Sequence, residues 1–236
     1  MSEESKTASG QYDKEEVTSR IERTLKNVVP LSFGEEIGNA VSHGVAAIIF
    51  IFLLPFTSVY MYIEGGVSHA VGGSIFVISM LLMFLTSTLY HSMQHNTNHK
   101  YVMRLLDHSF IFVAIAGTYT PIAISVVGGT FGIVILAVQW LATILGILYK
   151  ILAPVVNEKV SLGLYLVMGW SAVTFIPSII NETSWVFIVL ILLGGLSYTI
   201  GAWFYAQKTR KYFHMIWHFF IIIAAICHYT AIVFYI

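Results

Sequence analysis

Charged residues and cysteine are both scarce in this sequence, and each shortage excludes a class of protein. Charged side chains make up 10% of the 236 residues, whereas 57% are hydrophobic and the mean hydropathy is +0.81. Soluble domains carry roughly a quarter charged residues, so this composition indicates a polytopic membrane protein. Cys227 is the only cysteine, which excludes an intramolecular disulfide and a cluster of thiolate metal ligands.

The charges that are present balance one another and form no basic surface. Twelve Lys and Arg residues accompany twelve Asp and Glu residues, which gives a formal net charge of zero. A nucleic-acid-binding surface needs clustered positive charge, so no nucleic-acid partner is expected. The first 36 residues also lack the apolar segment of a signal peptide. The first hydrophobic span is therefore expected to target and anchor the chain.

Residues 1–36 are predicted to form a cytoplasmic tail, separate from a membrane domain that covers 37–236. The opening dozen residues have the composition of a disordered segment. Asp13 and Glu16 have the spacing of a helix N-cap and its N3 acid, and apolar residues recur at helical spacing up to Pro30. This pattern predicts a short amphipathic helix, which either lies on the membrane or packs on the cytoplasmic loops.

Seven apolar stretches follow, each close to the ~20 residues that a helix needs to cross the hydrocarbon. They cover 37–62, 70–91, 105–127, 130–149, 161–180, 185–206 and 213–235. Tight turns are expected at Gly65-Gly66, Gly128-Gly129 and Asn181-Glu182, whereas the other three connections are longer and basic. The predicted fold class is all-α, a bundle of seven transmembrane helices in the cell membrane.

The short turns contain no Lys or Arg, and this absence predicts the orientation of the bundle. All twelve basic residues lie before the first stretch or in the three longer connections. Basic loops remain on the cytoplasmic side of a membrane. The N-terminus is therefore predicted to be cytoplasmic and, after seven crossings, the C-terminus to be outside.

Four ionisable side chains have the same depth in this predicted bundle. His91 ends the second stretch and Asp107 opens the third. His214 and His218 open the seventh. Each lies within about two helical turns of the cytoplasmic boundary. Ionisable groups inside a span are costly and face the bundle interior, so their shared depth predicts a functional site.

The residue types at this depth suit metal-assisted hydrolysis. His214 and His218 project from one helical face about 6 Å apart, and His91 supplies a third imidazole, which together form the ligand set of a catalytic zinc site. Asp107 is the candidate general base, and Ser87 is a candidate to orient it or the attacking water. Two alternatives stay open: the HxxxH pair also fits a hydrogen-bonded imidazole pair, and Ser87 can bond its own backbone.

Other polar positions in the spans are given supporting parts. Glu35, Asn39 and His43 follow one another at intervals of four, which predicts a stripe that faces inward and either supports the site or is purely structural. Pro121 is expected to kink the third span. His228 lies about 21 Å further along the last helix than the HxxxH motif begins, so it is expected to stand apart from any metal there.

In these motifs the sequence resembles the hemolysin III family, the bacterial branch of the progestin and adipoQ receptor superfamily. The resemblance covers nearly everything after residue 33. It rests on four features: the Glu35, Asn39 and His43 stripe with Ser42, the SxxxH motif of Ser87 and His91, Asp107 in LLDHSFIFVAIAGTYTP, and the HxxxH motif of His214 and His218. It implies seven spans and a zinc ion near the cytoplasmic face. The implied site residues are His91, His214 and His218 as ligands, with Ser87 and Asp107 completing the motif.

Three functions follow from these features. The superfamily also resembles alkaline ceramidases in its motifs, which favours a zinc-dependent membrane hydrolase that cleaves an amide or ester in a lipid entering from the bilayer. A membrane lipid is then the expected substrate or ligand. A pore-forming cytolysin would need polar residues through the whole thickness of the membrane, whereas the ionisable residues cluster at one end. A receptor-like role in membrane homeostasis would make the zinc structural.

Overall fold

The computed structural model describes residues 30–153 and 155–236, and within these ranges the chain contains helices and no strands. The short amphipathic helix predicted in the N-terminal tail lies outside the described residues. The described residues form seven α-helices, with two irregular helical segments between them. They are α1 (Phe33–Ser92), α2 (Asn98–Pro121), a π-helical segment (Ile122–Val127), α3 (Gly129–Leu152), α4 (Glu158–Trp170), a 3-10 segment (Ser171–Phe175), α5 (Ile176–Glu182), α6 (Trp185–Ala206) and α7 (Phe213–Tyr235).

Helix α1 contains a reversal of chain direction at Gly66. A straight helix of its 60 residues would measure about 90 Å, three times the hydrocarbon thickness. Gly66 instead has φ 73° and ψ −160°, a conformation that glycine adopts without strain. The two arms, 33–65 and 67–92, lie antiparallel, because Ser58 and Ser74 hydrogen-bond across them at 2.8 Å. The turn predicted at Gly65-Gly66 is thus a break at one glycine.

The second predicted glycine turn is also present. Gly128 and Gly129 both have positive φ, 61° and 55°, and they separate α2 with its π-helical extension from α3. The irregularity expected from Pro121 takes the form of that extension, which begins at the residue after the proline. At the third position helix α5 continues through Glu182, and Thr183 is its C-cap. The reversal there is therefore one residue later than predicted.

Six helical segments are long and apolar enough to cross a membrane, among the residues that the structure describes. Large apolar side chains cover their outer faces, such as Phe52 and Ile63 on α1, which are 72% and 71% exposed. An outer surface of this kind is stable in contact with lipid and costly in contact with water. The chain is a multi-pass membrane protein.

The first and last helices share the centre of the bundle. Phe50, Phe76 and Phe84 of α1 form a buried cluster with residues of α7, including Tyr229. The Tyr229 hydroxyl hydrogen-bonds to Thr57 at 2.9 Å, which satisfies both polar groups inside the core. Helix α7 also packs along α6, and α2 packs along α1. The histidines near the ends of α1 and α7 are consequently brought to one end of the same core.

A three-histidine candidate metal centre

The three histidines predicted as ligands lie together in the structure. His91 comes from the last turn of α1, and His214 and His218 come from the first turns of α7. The three ring centroids form a nearly equilateral triangle, with separations of 5.1, 5.0 and 5.0 Å. One ring nitrogen from each residue lies within 4.8 Å of the other two. These residues, called the histidine triad below, are close enough together to bind one metal ion.

The triad also offers the kind of atom that a metal requires. In each ring Nε2 is buried and has no hydrogen-bond partner among the described residues. Three unsatisfied acceptors at one place would be costly, because an unpaired buried polar group loses about 1–3 kcal/mol. A bound cation satisfies all three together. Three imidazoles are a ligand set that zinc accepts, so the donor set fits this metal.

A carboxylate fixes the orientation of His91. Its Nδ1 lies 2.6 Å from an oxygen of Glu36, so this nitrogen carries the proton and Nε2 keeps its lone pair. The other oxygen of Glu36 accepts a hydrogen bond from Lys100, whose ammonium group also donates to the Met93 carbonyl. Lys100 is only 3% exposed. A buried cation thus holds the carboxylate that holds the histidine.

The inward stripe of α1 is buried as predicted, and two of its members, Asn39 and His43, contact the triad. The ring of His43 stacks on that of His218 with centroids 3.7 Å apart and planes 9° from parallel. Asn39 lies within 3.5 Å of His91. Glu35 accepts hydrogen bonds from Ser32 as part of a capping box. The stacking of His43 on His218 joins the first arm of α1 to α7 at the triad.

Glu35 also controls where α7 begins. Its second carboxylate oxygen accepts a hydrogen bond from the backbone N–H of Tyr212 at 2.7 Å. Tyr212 is the residue before α7 and has a left-handed backbone conformation, with φ 63°. A negative charge at a helix N-terminus is favourable, because it complements the helix dipole. The first turn of α7, which carries His214, is thereby fixed to the first turn of α1.

Asp107 and Ser87 lie beside the triad and outside it. Asp107 is 5% exposed and Ser87 is 2% exposed, and Ser87 lies one helical turn before His91 on α1. Asp107 is absent from the group whose ligand atoms lie within 4.8 Å of one another. Its neighbour His108 is already satisfied, since Nδ1 contacts the Arg104 carbonyl and Nε2 contacts the Tyr205 hydroxyl. Asp107 is therefore outside the set of possible metal ligands, and its role as a general base stays a prediction.

His228 and His69 stand apart from the triad, whereas His95 lies in a pocket that His91 and His214 also line. His228 reaches the backbone carbonyl of Ile191 on α6, with Nε2 and oxygen 3.3 Å apart. His69 lies near the chain reversal at Gly66, at the opposite end of α1 from the triad. His95 lines a pocket at the inner end of the bundle. The separation expected for His228 is therefore present.

Two residues of the site, Glu36 and Lys100, were not found from the sequence. Helical spacing selected Glu35, because it shares a face with Asn39 and His43. The ion pair between Glu36 and Lys100 joins positions 64 residues apart, and such a contact leaves no periodic pattern. Lys100 was assigned to a basic loop, yet it lies in the first turn of α2 and is buried. The only local signal for Glu36 in the sequence was its position directly after Glu35, the carboxylate that the helical spacing had selected.

Two cavities meet beside the triad. An apolar cavity of about 300 Å³ runs between α2, α4, α6 and α7, and its wall includes Tyr119, Phe187 and Ile191. A smaller pocket of about 70 Å³, called the inner pocket below, is lined by His91 and His214. Both cavities include His108 and Tyr205 in their walls. An apolar cavity and a more polar one therefore share two wall residues, of which Tyr205 has its ring centroid 5.7 Å from that of His214.

Ionic side chains surround the inner pocket. The carboxylate of Glu158 bonds with both Arg104 and Lys208. Lys208 lies in the connection between α6 and α7, and burial together with the charge of Arg104 lowers its pKa below the ordinary lysine value. One carboxylate thus serves two cations at this end of the bundle.

Comparison with known proteins places these residues in a family context. The family model described as "Haemolysin-III related" matches residues 31–229, a range that contains the triad, Asp107 and Ser87. The chain is 35% identical over 201 residues to a hemolysin-3 homolog of Bacillus subtilis (strain 168), covering 85% of this chain and 94% of that protein. It is 34% identical over 202 residues to hemolysin-3 of Bacillus cereus, covering 86% and 92%. Human monocyte to macrophage differentiation factor is 27% identical over 163 residues, 67% of each chain.

Proposed function

This chain belongs to the hemolysin III family, and we propose that it is an integral membrane zinc-dependent hydrolase that cleaves an amide or ester bond in a lipid. The observation that carries the proposal is the triad, with three buried Nε2 atoms that lack partners among the described residues. Zinc bound there would supply Lewis-acid chemistry, which polarises a carbonyl group and makes water nucleophilic near neutral pH. His91, His214 and His218 would hold the ion.

The side chains next to the triad supply the proton transfers of such a reaction. Asp107 accepts a proton from a water molecule while the oxygen of that water attacks the carbonyl carbon of the substrate. The C–N or C–O bond then breaks, and Asp107 returns the proton to the departing nitrogen or oxygen. A hydrogen bond from the Ser87 hydroxyl to Asp107 would aim the free carboxylate oxygen at the attacking water. Glu36 keeps His91 in the tautomer that presents Nε2.

The apolar cavity supports a lipid as substrate. Its walls are almost entirely apolar, and it passes Trp217, whose ring centroid is 4.9 Å from that of His214. An acyl chain that occupied it would bury apolar surface at about 25 cal/mol per Å². The head of that lipid would lie beside the triad, where the scissile bond has to be.

The proposal includes seven crossings with the N-terminus inside and the C-terminus outside. The reversal at Gly66 supports two crossings within α1, because the arms are antiparallel and each exceeds 25 residues. The ion pairs of Arg104, Glu158 and Lys208 support a common side for three connections. With that topology the triad lies near the cytoplasmic face.

The experiment turns on Asp107, because two other functions make different predictions for it. Asp107→Asn keeps the shape of the side chain, so zinc content and thermal stability should persist while lipid turnover falls by about 10²–10⁴. Parent and variant are reconstituted in the same liposomes, and bound zinc, released fatty acid and dye leakage are followed together. A structural zinc in a receptor-like protein would yield no product even in the parent, and Asp107→Asn would then alter zinc affinity or stability.

The same liposomes test a cytolysin. The Bacillus cereus relative carries the name hemolysin-3, and a pore in this chain would release dye whatever residue stands at position 107. The apolar wall of the large cavity does not favour a hydrated path. Leakage from the parent without any lipid product would contradict the hydrolase.

A further inference from the structure

The inner pocket has a composition that an uncharged lipid head would not require. It opens at the cytoplasmic end of the bundle in the proposed topology, and His91 and His214 form one side of it. Its wall also contains three basic residues, Arg104, Lys208 and Arg210. Because it shares His108 and Tyr205 with the apolar cavity, one amphiphile fits both: a chain in the cavity places its headgroup in the pocket.

Among the described residues, the positive charge in this pocket exceeds the negative charge that is available to neutralise it. Arg104 and Lys208 share the single carboxylate of Glu158. The guanidinium of Arg210 lies over the Phe213 ring at 5.4 Å, and no carboxylate of residues 30–153 or 155–236 pairs with it. The other acidic residue in the wall, Glu36, is engaged by Lys100.

Partial burial makes this excess costly. The side chain of Arg104 is 17% exposed and that of Lys208 is 41% exposed, so water screens their mutual repulsion incompletely. An oxyanion between them relieves that repulsion, and phosphate oxygens match the fork of a guanidinium group in geometry as well as charge. A site whose two cations share a single carboxylate therefore favours an anionic ligand over a neutral one of the same size.

We infer that the inner pocket binds the phosphate of an anionic lipid headgroup through Arg104, Lys208 and Arg210, and so selects anionic amphiphiles for the neighbouring metal site. This inference rests on the proposed lipid hydrolase only for the orientation of the amphiphile, with its chain in the apolar cavity and its headgroup in the inner pocket. Basic residues on the cytoplasmic side also set topology. A role in topology would be the same for basic residues inside and outside the pocket wall. The chain contains two neighbouring basic residues, one inside the wall and one outside it, that separate the two roles.

The matched pair is Arg210 and Lys211. They are adjacent in one connection, and both are basic and exposed, but only Arg210 lies in the pocket wall. Binding is measured on the full chain in detergent, in an Asp107→Asn background, so that turnover does not consume the probe. The probes are a phosphatidic acid with a fluorescent acyl chain and the diacylglycerol with the same chains. They differ only in the phosphate.

Phosphatidic acid should bind at least about tenfold more tightly than diacylglycerol, as one charge-assisted contact provides. Arg210→Gln and Lys208→Gln should each remove most of that preference, whereas Lys211→Gln should leave it within about twofold. Zinc content and thermal unfolding of each variant verify that the fold is intact. Equal binding of the two lipids, or an equal loss in Lys211→Gln, would overturn the inference.

Inorganic phosphate distinguishes a lipid headgroup from a soluble anion. Millimolar phosphate should not displace the labelled phosphatidic acid, because it lacks the chain that fills the apolar cavity. Complete displacement would assign the pocket to a free anion and reject the lipid. Headgroup preference without turnover of any lipid in the parent chain would contradict the hydrolase and leave this inference standing. Turnover without headgroup preference would contradict this inference and leave the proposed hydrolase standing.

Discussion

Glu36→Gln separates the role of the carboxylate at His91 from its role at Lys100. The glutamine amide oxygen can still accept the proton of His91 Nδ1, but it carries no charge. The ring then becomes a weaker ligand, because a neighbouring negative charge raises the basicity of Nε2. Zinc affinity should fall by about 10–100-fold, the usual effect of losing a partner of a metal-ligating histidine.

The same substitution leaves Lys100 buried without its carboxylate. The ammonium group keeps the Met93 carbonyl and the face of the Tyr90 ring, which lies 4.7 Å away. Breaking a buried ion pair costs about 3–5 kcal/mol. The lower end of that range, about 3 kcal/mol of unfolding free energy, is expected here because the Glu36 side chain is 19% exposed.

A double variant isolates the two effects. Glu36→Gln with Lys100→Met removes the unpaired cation, so stability should recover towards that of the parent while zinc affinity stays low. Zinc affinity is measured by competition with a chromogenic chelator, and stability by thermal unfolding in detergent. Glu64→Gln, an exposed carboxylate near the reversal of α1, controls for loss of one charge. Parent-like zinc affinity in the double variant would show that Glu36 supports only the fold.

Two further predictions concern the triad and the topology. Zinc occupancy should fall sharply in His91→Ala, His214→Ala and His218→Ala, because two imidazoles make an incomplete site. It should be retained in the controls His69→Ala and His228→Ala. Metal analysis of the five purified variants measures this, and equal zinc in all five would exclude the site. A reporter fused after Ile236 should report the outside, since seven crossings follow a cytoplasmic N-terminus; a cytoplasmic signal would contradict the topology.

The meeting of His91 with His214 and His218 was predictable because it depends on quantities that a sequence contains. Hydropathy gives the helical segments, loop charge gives their direction, and a fixed rise per residue converts position into depth. These rules apply to residues far apart in the chain. They bring the second arm of α1 and the start of α7 to one level without any knowledge of which helices are neighbours.

The contacts around the triad depend on quantities that a sequence does not contain. Depth does not give the rotation of one helix against another, so the choice between Glu35 and Glu36 as the partner of His91 stays open. The helical stripe correctly predicted that Glu35, Asn39 and His43 are buried, yet Glu35 bonds to Tyr212 and His43 stacks on His218. The cavities likewise depend on how α4 and α6 pack, which hydropathy does not specify.

The hydrogen bond between Glu35 and the N–H of Tyr212 joins residues that are 177 positions apart in the sequence. This separation along the chain determines at what point of synthesis the site can form. During synthesis the first helix is in the membrane long before the last one is made, and His91 then has no partners for a metal. An ion held by the triad binds only a chain whose final helix has docked, and it stabilises that state by mass action. Metal loading would therefore report that insertion is complete, and depletion of zinc should first release the last helix from the first.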